Sequence, residues 1–349
     1  MAGSLNTIRG KLETAKSEVL RAAGLRHLRL TCTSDRAPGC EVGEGDWRDA
    51  SRAVGICESL GRVAFTRSEG SKSLIVTDSV RKCVAFIGQR HGSDYVLRGS
   101  VFFLGTIDEN RNVVKGYAIT ARHVLDNIQF KTQAVEVAIR VNLVEGGVHW
   151  LHIDLNDWWV HPDPAIDVAI LEIARFDVGY DHLFWPTSEC ADAAYMEANE
   201  VGLGEEIFVA GLFRHHHGTR RNIPIIRVGN LACLTEEKVT TSSGDADLLL
   251  IEARSIGGLS GSPVFLNLGY SRTTQGRMVQ RSHIEIRLLG MIHGHFDVKQ
   301  TAIDGVAEDA NELAAEEKVN TGIAMVVPWR VIESAIALRA ADIAQDALK

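Results

Sequence analysis

From about Val80 onward the 349-residue chain reads as a succession of short apolar segments separated by turns, and this texture constrains its fold more than any other feature. The first six segments are Cys83–Gln89, Gly99–Leu104, Gly116–Thr120, Val135–Val141, Val148–Leu155 and Asp167–Ile173. After a less regular stretch, Trp185 to Glu200, six more follow: Glu206–Leu212, Ile223–Leu231, Asp247–Ala253, Ser262–Leu266, Glu285–His293 and Gly322–Val327. Many short strands with regular turns predict a mainly β protein of sandwiches or barrels, not a parallel sheet with crossover helices. The irregular stretch divides them six and six.

The flanks differ in character. Leu5 to Ala23 places Leu5, Ile8, Leu12, Ala15, Val19 and Leu20 at helical spacing, which predicts an amphipathic helix. Thr31 to Gly70 is irregular and rich in Gly, Ser and charge. At the other end Pro328 suits the first turn of a helix, and Val331, Ile332, Ala335 and Ile336 give that helix an apolar face. Asp304 to Lys318 reads as an acidic helical insertion on the surface. The expected sections are an N-terminal extension (1–79), a first β unit (80–185), a second β unit (186–327) and a C-terminal helix packed on them (328–349).

Composition narrows the function classes. A net charge of −8 argues against general nucleic-acid binding, which needs a basic surface. The first twenty residues lack the apolar core of a signal peptide, and no apolar run approaches a membrane span. Cys32, Cys40, Cys57, Cys83, Cys190 and Cys233 are scattered without metal-ligand spacing. The expectation is a soluble cytoplasmic protein with reduced thiols, no cofactor and no membrane partner. The run His215-His216-His217 is flanked by Arg214, Arg220 and Arg221, whose charge disfavours a cation, so it reads as a basic loop and no metal is expected.

Three segments carry chemistry: TARHV (Thr120–Val124), Asp167 before the apolar Val168–Leu171, and GGLSGSPVF around Ser260. A serine hydroxyl needs a base to make it nucleophilic, and its product oxyanion needs donors. Gly258 and Gly261 permit a tight turn that aims the N–H groups of Gly258 and Ser260 at one point. His123 supplies a base of suitable pKa, and Asp167 a carboxylate that needs a partner in an apolar setting. Asp163, in the turn HPDP, is the weaker rival because no apolar strand follows it. Each segment alone is common. The order His, Asp, Ser, with intervals of 44 and 93 residues, puts the base and acid in one six-strand half and the serine in the other.

Together these segments resemble the trypsin-like (chymotrypsin-fold) serine peptidases, particularly the bacterial-type domain. TARHV is similar to TAAHV or TAGHV, DVAIL to the aspartate strand, and GLSGSP to GDSGGP or GNSGGP. GSVFFL, GLGEEIFVAG, PIIRVGN and GIAMVVPWRVIE extend the likeness over roughly residues 80 to 347. The resemblance implies two six-stranded antiparallel Greek-key barrels. It implies His123 as general base, Asp167 as its orienting carboxylate, Ser260 as nucleophile, and the Gly258 and Ser260 N–H groups as oxyanion hole. By the same analogy Arg254, Ser255, His293 and His295 line the S1 pocket, with a preference for acidic side chains.

One departure is Leu259, where the family has Asp or Asn. Activation by cleavage to an IVGG-type start is therefore not expected, and the site is either preformed or ordered by something else. The expected partner is a protein or peptide substrate, with the N-terminal extension as a place for a regulatory partner. Two other readings stand beside the endopeptidase: a catalytically silent trypsin-like scaffold or binding module, and an α/β-hydrolase esterase. Residue order, the strand-rich pattern and Ser262, which breaks a GxSxG elbow, oppose the last.

Overall fold

The computed structural model describes residues 30–32, 40–42, 76–110, 112–173, 179–241, 243–253, 258–299 and 318–346. The chain divides into two compact units, Met1–Leu74 and Ile75–Lys349. Within the first, β1 (Leu30–Cys32) pairs antiparallel with β2 (Cys40–Val42). The helix expected over Leu5–Ala23 lies outside the described residues, as does the acidic insertion apart from Lys318.

The second unit begins with helix α1 (Asp78–Lys82) and the strands β3 (Val84–His91), β4 (Asp94–Ile107) and β5 (Val113–Thr120). Helix α2 (Arg122–Thr132) follows, then β6 (Glu136–Asn142), β7 (Val148–Asp154), β8 (Trp159–Val160), β9 (Ala169–Ile173) and β10 (Trp185–Pro186). These strands form a curled sheet in the order β7-β6-β3-β4-β5-β9-β8, with β10 added in parallel to β4. Phe86 and Ile87 of β3 and Phe102, Phe103 and Leu104 of β4 are wholly buried, which accounts for their near-continuous apolar sequences.

This first sheet is open, where a closed six-stranded barrel was expected. Its end strand β8 has only two residues, too few to complete a wall. That edge is covered instead: the Trp159 indole donates to Asp342 Oδ2 at 2.9 Å, from the C-terminal helix. A short, covered edge satisfies the sheet without closure.

The second half is closed. After helix α3 (Ala193–Ala198) come β11 (Glu206–Gly211), β12 (Ile225–Leu234), the small pair β13 (Val239–Thr241) and β14 (Gly244–Ala246), and β15 (Leu249–Glu252). The long strands β16 (Pro263–Thr274), β17 (Arg277–Lys299) and β18 (Lys318–Pro328) complete it. The barrel runs β11-β12-β15-β18-β17-β16 and closes where Ile207 of β11 pairs with Leu266 of β16. Alternate residues point inward, as a barrel wall requires: Ile207 and Val209, Leu249 and Ile251, Val264 and Leu266, Ala324 and Val326.

Every expected strand is present. Pro328, however, ends β18, and the last helix α4 spans Trp329–Asp346. Its buried face is Trp329, Ile332 and Ala335, at a spacing of three; Val331 and Ile336 sit on the margins. Among the described side chains Cys83, Cys190 and Cys233 are free thiols; burial pushes the first two well above the usual thiol range.

Candidate active site

His123 is the second residue of α2, and this fixes its environment. The first N–H groups of a helix have no partner within it. Ala121, the residue that should cap α2, has no side-chain acceptor. Asp167, from the turn before β9, takes that role: its Oδ1 accepts the His123 backbone N–H at 2.8 Å, while its Oδ2 lies 2.7 Å from His123 Nδ1. One carboxylate therefore caps the helix and orients the ring that the helix carries. With Nδ1 bearing the proton, Nε2 is left as the basic nitrogen.

Asp167 is 5% exposed. Burial alone would raise its pKa, but the hydrogen bonds and charge of His123 and His293 outweigh burial and hold it at about 2. Burial alone would lower the His123 pKa. The hydrogen bond and charge of Asp167, with a smaller pull from Asp126, reverse this and raise it above the ordinary histidine value. At neutral pH the acid is thus a fixed anion beside a ring that readily accepts a proton.

The Ser260 turn is built around its two glycines. Gly258 and Gly261 have φ of 112° and 81°, conformations that side chains disfavour. At Gly261 a Cβ would also lie 2.3 Å from the Ser100 carbonyl oxygen and 2.6 Å from Thr120 Oγ1, so the turn presses against the residues leading into α2. Between the glycines Leu259 is buried in the barrel core with Ile207, Val209 and Val264. Where the resemblance implied Asp or Asn, an apolar side chain anchors the turn directly.

Ser100, a wholly buried residue of β4, ties the turn to the first sheet. Its N–H donates to the Ser260 carbonyl at 2.9 Å, and its hydroxyl accepts from Leu212 N–H and the Ser262 hydroxyl, each at 2.9 Å. Among the described residues, no hydrogen bond uses the N–H of Gly258 or of Ser260, and none joins Ser260 Oγ to His123.

Among solved structures, the fold is similar to the apo MamO protease domain of Magnetospirillum magneticum, at a TM-score of 0.43 and 16% identity, over 74% of this chain and 97% of that one. It is also similar to an inactive mutant form of Rv3671c from M. tuberculosis, at a TM-score of 0.37 and 15% identity, over 76% of this chain and 89% of that one. No protein-family model matches the sequence, and no curated protein matches it.

Of the residues expected in the S1 pocket, Arg254 and Ser255 lie outside the described residues. His293 does not present Nδ1 to a substrate side chain: that atom lies 2.6 Å from Asp167 Oδ2. His295 is half-buried two residues further along β17. Asp163, the rival carboxylate, accepts the Ala165 N–H within its own turn at 2.9 Å.

His123, Asp167 and His293 hold their ligating atoms within 4.8 Å of one another. Both nitrogen–oxygen separations, 2.7 and 2.6 Å, are hydrogen-bond distances. Two ligands of a tetrahedral zinc stand about 3.3 Å apart, so these atoms face one another and not a shared ion. In the loop after β11, His217 Nδ1 contacts the Arg214 carbonyl and His215 packs edge-on against Phe213, so the run does not converge on one point.

Sequence reasoning missed Ser100 and Arg214. Ser100 carried a signal, as the one polar residue in the apolar run SVFFL. The Arg214 side chain lies against Gly258, 3.2 Å from where a Cβ would stand, and donates to the Arg98 carbonyl at 3.3 Å. Nothing in its local sequence indicates that placement.

Proposed function

We propose that the chain is a serine endopeptidase. Ser260 Oγ attacks the carbonyl carbon of a peptide bond as His123 Nε2 takes the hydroxyl proton. The tetrahedral intermediate collapses, the C–N bond breaks, and His123 returns the proton to the leaving amine. Water then repeats the sequence on the acyl-enzyme, releasing the acid and restoring Ser260. Asp167 stays anionic throughout, and the N–H groups of Gly258 and Ser260 receive the oxyanion.

The observation that carries this reading is the His123–Asp167 contact at 2.7 Å, on a helix start against which the Ser260 turn is pressed. The two unengaged N–H groups support an oxyanion hole. The missing Ser260–His123 hydrogen bond favours the second reading, a catalytically silent scaffold, although such bonds commonly tighten only around substrate.

A fluorophosphonate probe separates the two. Labelling of the wild type that is lost in Ser260→Ala supports the endopeptidase; no labelling of either at any pH between 6 and 9 supports the scaffold. A peptide-library digest addresses specificity: cleavage after Lys or Arg would exclude the acidic preference expected from Arg254 and His293.

A further inference from the structure

His293 is placed where a specificity residue was expected, yet its ring turns to Asp167. Its side chain is 13% exposed, and its Nδ1 lies 2.6 Å from the Oδ2 atom that also faces His123 Nδ1. The two imidazoles meet edge-to-face, with centroids 5.8 Å apart. Asp167 accepts only, so each Nδ1 must carry a proton. The carboxylate therefore takes three donors: His123 N–H on Oδ1, and the two rings on Oδ2.

The backbone around His293 has a second attachment. Its neighbour Ile292 accepts from Gly261 N–H at 3.0 Å and donates to the Ser262 carbonyl at 2.8 Å. The same short piece of β17 thus holds the turn containing Ser260 through its backbone and the carboxylate that orients His123 through its side chain. Asp167 and His123 belong to the open-sheet half, and Ser260 to the barrel.

We propose that His293 is a positioning residue for the reaction: it sets where the His123–Asp167 pair stands relative to Ser260 by gripping Asp167 from the strand that bonds the nucleophile turn. This rests on the endopeptidase reading. A donor on Oδ2 also draws carboxylate charge away from His123, so His293 tempers the stabilisation of the His123 imidazolium. Among the described residues, the ionisable groups around the array are His123 and Asp126 from α2, Asp167 itself, and Asp163, Lys238, Asp245 and Asp247, which line a cavity together with Asp167.

Two variants of the full chain test this. His293→Leu keeps the bulk and removes the donor; His293→Asn keeps a donor where Nδ1 stands. The Leu variant should lose at least about tenfold in kcat with KM changed less than about twofold, as loss of a hydrogen bond to a charged group implies. Its kcat/KM should rise with pH at a higher pH than the wild type does, because His123 then faces Asp167 with one competitor fewer. Asn should restore most of kcat and return the profile towards that of the wild type. A Leu variant within twofold of wild type in kcat, or an Asn variant as slow as Leu, overturns the proposal.

A readout independent of turnover separates failure of this proposal from failure of the endopeptidase reading. Titration of the His123 ring by nitrogen NMR should show its pKa higher in His293→Leu than in wild type. An unchanged His123 pKa removes the coupling even if the enzyme is active. A wild type that takes no fluorophosphonate removes the endopeptidase reading, and with it a positioning role in catalysis, whatever the titration shows.

Discussion

The backbone N–H of Ser100 donates to the carbonyl of Ser260 at 2.9 Å, so the turn carrying the candidate nucleophile is hydrogen-bonded directly to the sheet whose strand β5 leads into the helix carrying the candidate base. The Ser100 hydroxyl extends that link by accepting from Leu212 N–H and from Ser262.

Ser100→Ala should leave the bond to Ser260 intact, because it is a backbone bond, and orphan the other two donors. Both lie in a buried setting, where an unsatisfied group costs about 1–3 kcal/mol. Urea denaturation should show a loss in that range with an unchanged m-value. A Ser100→Ala protein as stable as wild type would mean that the hydroxyl network contributes nothing measurable.

Leu259 is 2% exposed among aliphatic side chains of the barrel. Truncation to Ala should cost about 2–5 kcal/mol, as for other buried leucines. Leu259→Asp should cost more, because the acid that resembles the family pattern would here be an unpaired charge in an apolar core. Denaturation midpoints in the order wild type, Leu259→Ala, Leu259→Asp check this; a stable Asp variant would show that the turn can swing out of the core.

Asp167 makes stability depend on pH with a defined sign. Its folded pKa of about 2 lies below the ordinary value of 3.8. The stabilisation is therefore present in full above about pH 4 and is lost as pH falls towards 2, amounting to on the order of 2 kcal/mol. Asp167→Asn should be less stable at pH 6 and show a shallower loss between pH 4 and 2. His123, with a raised folded pKa, contributes in the opposite sense: its stabilisation is full below pH 6.5 and fades as pH rises through the folded value. Because the same variant removes the charge that raises it, the His123 NMR titration should move to lower pH in Asp167→Asn.

What the sequence revealed follows from what local chemistry encodes. Strands such as Val84–Ile87 and Val264–Leu266 are buried, and burial writes itself as an apolar run. His123, Asp167 and Ser260 stood out because each sits in a short segment of unusual texture. Helix α2 did not, because its cap comes from Asp167, 44 residues away, and Ala121 gives no start signal. The far ends of β16 and β17, where Ser271 to Thr274 pair with Arg277 to Gln280, were missed because that hairpin is largely polar and exposed and shows no inward-facing alternation. The bond from His293 to Asp167 spans 126 residues, and a histidine on a strand carries no mark of which group its ring will meet.

Arg140 is similarly illegible and supports the final prediction. It is 4% exposed, with its guanidinium donating to Asn222 Oδ1 at 2.8 Å and to the Gly218 and Thr219 carbonyls at 2.8 and 2.9 Å. Asn222 replies by donating to the Arg140 carbonyl, so β6 grips the far end of the loop whose near end lays Arg214 against Gly258. A lysine cannot reproduce this planar fork, and Arg140→Lys would leave some of the three acceptors unmatched. The expected cost is about 1–3 kcal/mol in urea denaturation. If the grip also sets the Gly258 end of the turn, fluorophosphonate labelling of Ser260 should slow in Arg140→Lys under conditions where the protein remains fully folded. Slowed labelling in Arg214→Ala, with stability unchanged, would locate that effect at the Arg214–Gly258 contact; wild-type labelling rates in both variants would confine Arg140 to holding the loop.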